Sequence, residues 1–161
     1  MEKKNIDILN LLKEDARYTA KQIAVMLSLD ISVVEKAIFE MENDGTIVKY
    51  TTIVNSEKVC ENKVQAIIEV KVTPEKKRGF DAIAEEICKF DEVKSVMLMS
   101  GGYDVSVMIE GNSLKEVALF VSQKLSALGN VISTATHFVL KNYKVEGVVI
   151  DEDEIKRIEQ F

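Results

Sequence analysis

Arg17, Lys21, Lys36 and Lys49, interspersed with Ser32, Val33 and Asn43, are the residues whose chemistry and spacing suit a polyanion. Lysine and arginine hold phosphates, while short side chains on one helix reach base edges in a groove of double-stranded DNA. A second cluster, Ser100-Gly101-Gly102-Tyr103-Asp104, offers different chemistry. Bare glycine amides can meet a carboxylate, Asp104 can pair with an ammonium and Tyr103 can wall a pocket, which together suit a small zwitterion. Turn chemistry accounts for the same residues, because a Gly-Gly pair between two strands closes a hairpin through positive φ.

Other chemistries find little support. Cys60 and Cys88 lie far apart and His137 is the single histidine, so neither a metal site nor a disulfide framework is expected. Both cysteines read as reduced and structural, with Cys88 on the core side of a helix and His137 as a packing residue. There is no nucleophile elbow, phosphate-binding glycine loop or clustered carboxylate pair, so no catalytic residues, no cofactor and no enzymatic activity are expected.

Composition sets wider bounds. The 161 residues, 47% of them hydrophobic, suffice for one ordinary domain or two small ones. No apolar run approaches the roughly 20 residues that span a bilayer, and Met1-Glu2-Lys3-Lys4 leads into an amphipathic helix without a signal-peptide core, so a soluble, cytoplasmic protein without a membrane partner is expected. The net charge is −6, and residues 1–55 alone carry two more acidic than basic side chains. Neither half is a basic module, although phosphate attraction supplies most non-specific DNA affinity.

The elements that must position the first cluster are three helices. Ile8, Leu9, Leu11 and Leu12 mark one over 3–14, and Ala20, Ile23, Ala24 and Leu27 mark a second capped by Thr19. Val34, Ala37, Ile38 and Met41 mark a third, with Asp30 or Ser32 as its N-terminal acceptor and Asn43-Asp44-Gly45 as its stop. Only Ser28-Leu29-Asp30 separates the second from the third, which forces the abrupt turn of a helix-turn-helix. Periodicity reports burial and not partners, so a plain helical bundle fits this pattern as well.

After a connecting segment at 56–62 the pattern changes to strands. Val64 to Val72 alternates, Pro74 is expected to open a helix through Phe90 with Phe80, Ile83, Ala84 and Ile87 inward, and strands follow at 93–99 and 103–110. A helix over 113–128 and a strand over 131–141 complete a βαββαβ order, that of a ferredoxin-like split βαβ sandwich. The fold class is therefore α+β, a winged helix-turn-helix domain at 1–55 followed by a ferredoxin-like domain at 63–150. Met97 and Met99 against Val96 and Leu98, and Ala135 and Val139 against Ile132, Phe138 and Leu140, give strands apolar on both sides. A two-fold dimer through the uncovered sheet face is expected. The tail 151–161 opens with four acidic residues and is expected to be a frayed end.

These residues resemble the Lrp/AsnC (feast/famine) family of transcriptional regulators. The likeness rests on Ile8-Leu9-Asn10 with Leu12, Asp15-Ala16-Arg17, Gly45-Thr46-Ile47, Tyr50-Thr51 with Asn55, Ser100 to Asp104, and Thr134 to Thr136. It implies DNA binding by the N-terminal domain, a homodimer assembling into tetramers or octamers, and a small-molecule effector bound between dimers. Some siroheme decarboxylase subunits share this architecture, but their chemistry calls for more histidines than this chain has.

The third helix departs from the family. Where relatives carry arginines it has Ala37, Phe39 and Glu40, and its one cation, Lys36, sits among Glu35, Glu40 and Glu42. Base reading then falls to Ser32, Val33, Lys36 and Asn43, with Arg17, Lys21 and Lys49 on flanking phosphates. An alternative keeps the fold without the DNA: an amino-acid-sensing oligomer that modulates a partner regulator.

Overall fold

The computed structural model describes residues 2–56, 58–59, 63–76 and 78–150. Cys60, most of the expected connecting segment and the acidic tail lie outside the described residues. The chain divides into two compact units, Met1–Ile53 and Val54–Phe161, each with its own apolar cluster.

The first unit packs α1 (Lys3–Glu14), α2 (Ala20–Leu27) and α3 (Ile31–Asn43) around Ile8, Leu12, Ile23, Ala24, Val34, Ala37 and Met41. Ile38, expected inside, lies at the margin of this core. Thr19 starts α2 with a reciprocal cap: the Gln22 amide donates to its Oγ1 at 3.3 Å, and its own amide donates to Gln22 Oε1 at 2.9 Å. Ser28 ends the helix in the left-handed region at φ 54°, and the Leu29 amide returns to the Ala24 carbonyl at 2.9 Å. That bend fixes the turn into α3.

The start of α3 differs from expectation. Asp30 is the capping residue, but its side chain accepts no capping hydrogen bond, and Ser32 already lies inside the helix. The backbone carbonyl of Asp30 accepts from Val33 and Val34 instead. At the other end Gly45 takes φ +77°, letting the Ile47 amide reach the Met41 carbonyl at 2.8 Å. No ladder pairing occurs over residues 48–53, which are held to α3 where the Tyr50 hydroxyl donates to Glu42 at 2.9 Å.

The second unit contains β1 (Val64–Val72), α4 (Asp81–Ile87), β2 (Val93–Leu98), β3 (Val105–Gly111), α5 (Leu114–Phe120) and β4 (Val131–Phe138). The sheet order is β2-β3-β1-β4 with every neighbour antiparallel, the arrangement of a ferredoxin-like βαββαβ domain. Alternation in β1 buries Ala66, Ile68, Val70 and Val72 beneath Ile83 and Ile87 of α4 and Val117 and Phe120 of α5.

Several boundaries differ from those read in the sequence. Pro74 does not open a helix: Glu75 and Gly79 exchange backbone hydrogen bonds across a tight turn, and α4 begins only at Asp81. The helix after Ser113 stays α-helical to Phe120 and then widens into a π turn over Val121–Leu125, where the Ser126 amide bonds the Val121 carbonyl at 2.8 Å. Cys88 caps α4 and is exposed rather than packed. A small hairpin that the sequence did not signal joins β5 (Lys144–Val145) to β6 (Val148–Val149) through Glu146 and Gly147, both at positive φ.

The open face of the sheet is less apolar than expected. Register places Val96 and Leu98, in line with Val107 and Val105, on the helix side, together with Phe138 opposite Ala66. The open face carries Ile67, Met108, Met97 and Ala135 among Ser95, Ser106, Ser133, Glu69, Lys71 and His137. It is an apolar strip set in polar surroundings.

Candidate nucleic-acid interface and effector loop

A helix turning about 100° per residue brings Ser32, Lys36, Phe39 and Asn43 within an arc of roughly 60°. That arc lies opposite Val34, Ala37 and Met41, the residues by which α3 is anchored, and all four of its members are exposed. Val33 is half-buried and falls outside the stripe. The outward surface of α3 is thus Ser32, Lys36, Phe39 and Asn43, flanked by Glu35, Glu40 and Glu42.

Two of the four cations expected to meet DNA are already partnered. Lys36 Nζ lies 3.7 Å from Glu40 Oε1, one turn along α3. Arg17 donates through Nε and Nη2 to the two oxygens of Asp15, at 3.0 and 2.7 Å. Hydrogen bonds from the Arg17 side chain and amide pull the Asp15 carboxyl down to about 2. Lys21 and Lys49 are exposed and make no ion pair among the described residues. Of the four expected cations, Lys21 and Lys49 are therefore the freer pair.

Phe39 was not among the base-reading candidates, yet it is 64% exposed near the middle of the stripe. The signal was in the sequence: measured from Ser32 and Asn43, Phe39 falls on the same side of the helix as both.

The loop joining β2 to β3 holds Ser100 to Asp104, and Asp104 there has partners on β1. A carboxylate oxygen of Asp104 accepts from the Val72 amide at 2.9 Å, and the Asp104 amide donates to the Val70 carbonyl at 3.0 Å. One side of Asp104 thus satisfies the end of β1, where the β1/β4 register shifts between Lys71 and Val72. Gly101 and Gly102 do not adopt positive φ, contrary to the hairpin argument, and a Cβ at either would meet nothing within 4 Å. Tyr103 is half-buried, while Ser100, Gly101 and Gly102 are exposed.

A cavity of about 290 Å³ lies elsewhere, lined by Glu92, Ser113, Leu119, Phe120, Gln123 and Lys124. It sits where β3 leaves the sheet, whereas the glycine loop enters at Val105. Six residue steps of β3, roughly 20 Å, separate the two ends. Lys124 pairs with Glu92 there and lowers its carboxyl by hydrogen bonding. His137, expected to pack, stands on the open sheet face with Nε2 3.5 Å from Glu69. Among the described residues no cluster of His, Cys, Asp or Glu could hold a metal ion, and no helix is long and apolar enough to cross a membrane.

A helix-turn-helix unit ahead of a separate antiparallel α+β domain defines a DNA-binding regulator with a ligand-binding domain. The family models agree: residues 1–48 match the winged helix-turn-helix DNA-binding model and residues 65–149 the Lrp/AsnC ligand binding domain. The chain belongs to the Lrp/AsnC family of transcriptional regulators.

Similar proteins include the uncharacterized HTH-type transcriptional regulator YugG of Bacillus subtilis, 46% identical over 96% of this chain and 95% of that protein. A transcriptional regulator of Neisseria meningitidis, solved as an L-methionine complex, has a TM-score of 0.73 and 25% identity over 90% of this chain and 93% of that one. The leucine response regulatory protein of Mycobacterium tuberculosis shares the fold, with a TM-score of 0.76 and 18% identity over 94% of this chain and all of that one.

Proposed function

We propose that α3 reads duplex DNA through its outward stripe, with Lys21, Lys49 and Arg17 on phosphates, and that an amino acid bound near Ser100 to Asp104 regulates the grip. The observation that carries the reading is the α2-turn-α3 geometry, which buries Val34, Ala37 and Met41 and leaves the opposite side of α3 open. Few cations lie on that stripe, so affinity per head is low. Several heads joined in one assembly gain effective concentration, and the open sheet face is the surface through which two copies pair. Dimers then associate further into tetramers or octamers. Such a regulator works in the cytoplasm.

The effector reading is supported by the open space beside Gly101 and Gly102 and by the Neisseria relative, solved with L-methionine. A ligand regulates only by binding one assembly or head spacing better than another. The test is selection of genomic fragments by the full chain in dilute buffer, repeated with each amino acid. Recovery of a discrete fragment set that changes with one amino acid supports the reading; recovery of no fragment at any salt concentration overturns it.

A second reading is favoured by the pairing of Lys36 with Glu40 and of Arg17 with Asp15. With those charges occupied, the protein acts as an amino-acid-sensing oligomer that modulates a partner regulator. Ligand-dependent assembly without retention of DNA is its signature.

A further inference from the structure

We propose that Phe39 reads the 5-methyl group of thymine, so that the half-site chosen by α3 is fixed by an apolar contact where other helices use arginine on guanine. The inference rests on α3 being the DNA-facing helix and goes beyond it by naming the base and the group recognised.

Three observations carry it. Phe39 is 64% exposed and lies opposite Val34, Ala37 and Met41, so most of it is left open by its own unit. Its companions on the stripe, Ser32 and Asn43, are short and polar, leaving the aromatic ring as the largest projecting group. The flanking Glu35 and Glu40, with Lys36 drawn towards Glu40, supply no free bidentate donor for guanine.

The major groove then leaves one match. Adenine and guanine present mainly hydrogen-bonding atoms there, cytosine a small C5–H beside its amino group, and the thymine methyl is the one projecting apolar group. A phenylalanine against adenine, guanine or cytosine would strip water from polar atoms without replacing their hydrogen bonds. Against thymine it removes apolar surface from water on both partners. Glu35 and Glu40 are acceptors only, so they add a tolerance for cytosine N4 donors and a penalty on guanine O6 and N7.

The experiment uses the full chain. Duplexes are selected from a random pool at low salt, and the best binder is remade with deoxyuridine for thymine, which deletes only the methyl group. Replacing the critical thymine should weaken the wild type about fourfold, the weight of one buried CH2 group. Phe39→Ala should bind the thymine and uracil duplexes equally and remain folded by circular dichroism.

Equal binding of the two duplexes by wild type overturns the proposal, as does undiminished discrimination by Phe39→Ala. Should Phe39→Ala instead dissolve an assembly while leaving DNA selection intact, the ring belongs to a protein contact and the proposal is also overturned. If wild type retains no duplex at all, the DNA-facing role of α3 fails first, distinguishing that failure from a loss of methyl reading alone.

Discussion

Asp104 closes the end of β1 by accepting the Val72 amide at 2.9 Å, at the point where the β1/β4 register slips. Truncating this carboxylate leaves the amide without its partner, so Asp104→Ala should lower stability by roughly 1 to 3 kcal/mol. Asp104→Asn keeps a side-chain carbonyl acceptor and should lose less. Chemical denaturation measures both. If Asp104 also meets an effector ammonium, the asparagine variant will lose ligand-induced stabilisation while keeping most of its own; equal losses of stability in both variants would argue against the amide contact.

Arg17 offers a test of how far local pairing restrains DNA binding. Its guanidinium is held on both oxygens of Asp15, so removing that carboxylate frees the cation and deletes a negative charge. Asp15→Asn should raise DNA affinity and steepen the logarithmic salt dependence by about 0.9, the yield of one added phosphate contact. An unchanged slope would place Arg17 away from the duplex.

The same pair has a pH signature. Asp15 is depressed to about 2, so whatever stability the pair contributes is present above the ordinary carboxylate range and is lost as pH falls through 4 towards 2. Arg17→Gln should raise the Asp15 midpoint part of the way towards the ordinary range, since the backbone amide at position 17 still donates to the carboxylate, as read by carboxyl carbon NMR. A midpoint near 4 in the wild type would contradict the bidentate geometry.

On α3, Lys36 leans on Glu40 across one turn. Glu40→Gln should strengthen DNA binding roughly 2- to 5-fold at low salt, in keeping with the ~0.5–1 kcal/mol of an exposed charge pair, and the gain should vanish in high salt. A gain that persists in molar salt would point to a direct contact made by the new amide.

What could be read from the sequence followed the strength of each local signal. The helices of the first unit and β1 were legible because Ile8 and Leu12, Ile23 and Ala24, or Ala66 to Val72 repeat at the period of their element with a stop at each end. Pro74 misled: its φ suits a first helical turn, but the Glu75–Gly79 turn satisfies the same backbone groups, so the helix starts later. The glycine loop misled for the opposite reason, since Gly101 and Gly102 imply positive φ and adopt none. The structural role of Asp104 was not legible because no sequence pattern shows that its carboxylate faces an amide 32 residues earlier. Which side of the sheet each apolar residue occupies depends on register with non-adjacent strands, and it is this register that sets Val96, Leu98 and Phe138 on the helix side.

That register makes the dimer proposal specific. Ile67 pairs with Met108 at the centre of the open face, on the two inner strands β1 and β3, while the helix-side core lies behind them. Met108→Glu puts a charge there without touching Ile68, Val107 or the helices that cover them. Burying that carboxylate between two copies would carry a desolvation cost of several kcal/mol, so the pair should dissociate while each unit stays folded. Sedimentation should then show a lighter species with unchanged circular dichroism. If the mass does not fall, the copies join through another surface, and the strip around Ile67 and Met108 is not what holds the DNA-reading heads together.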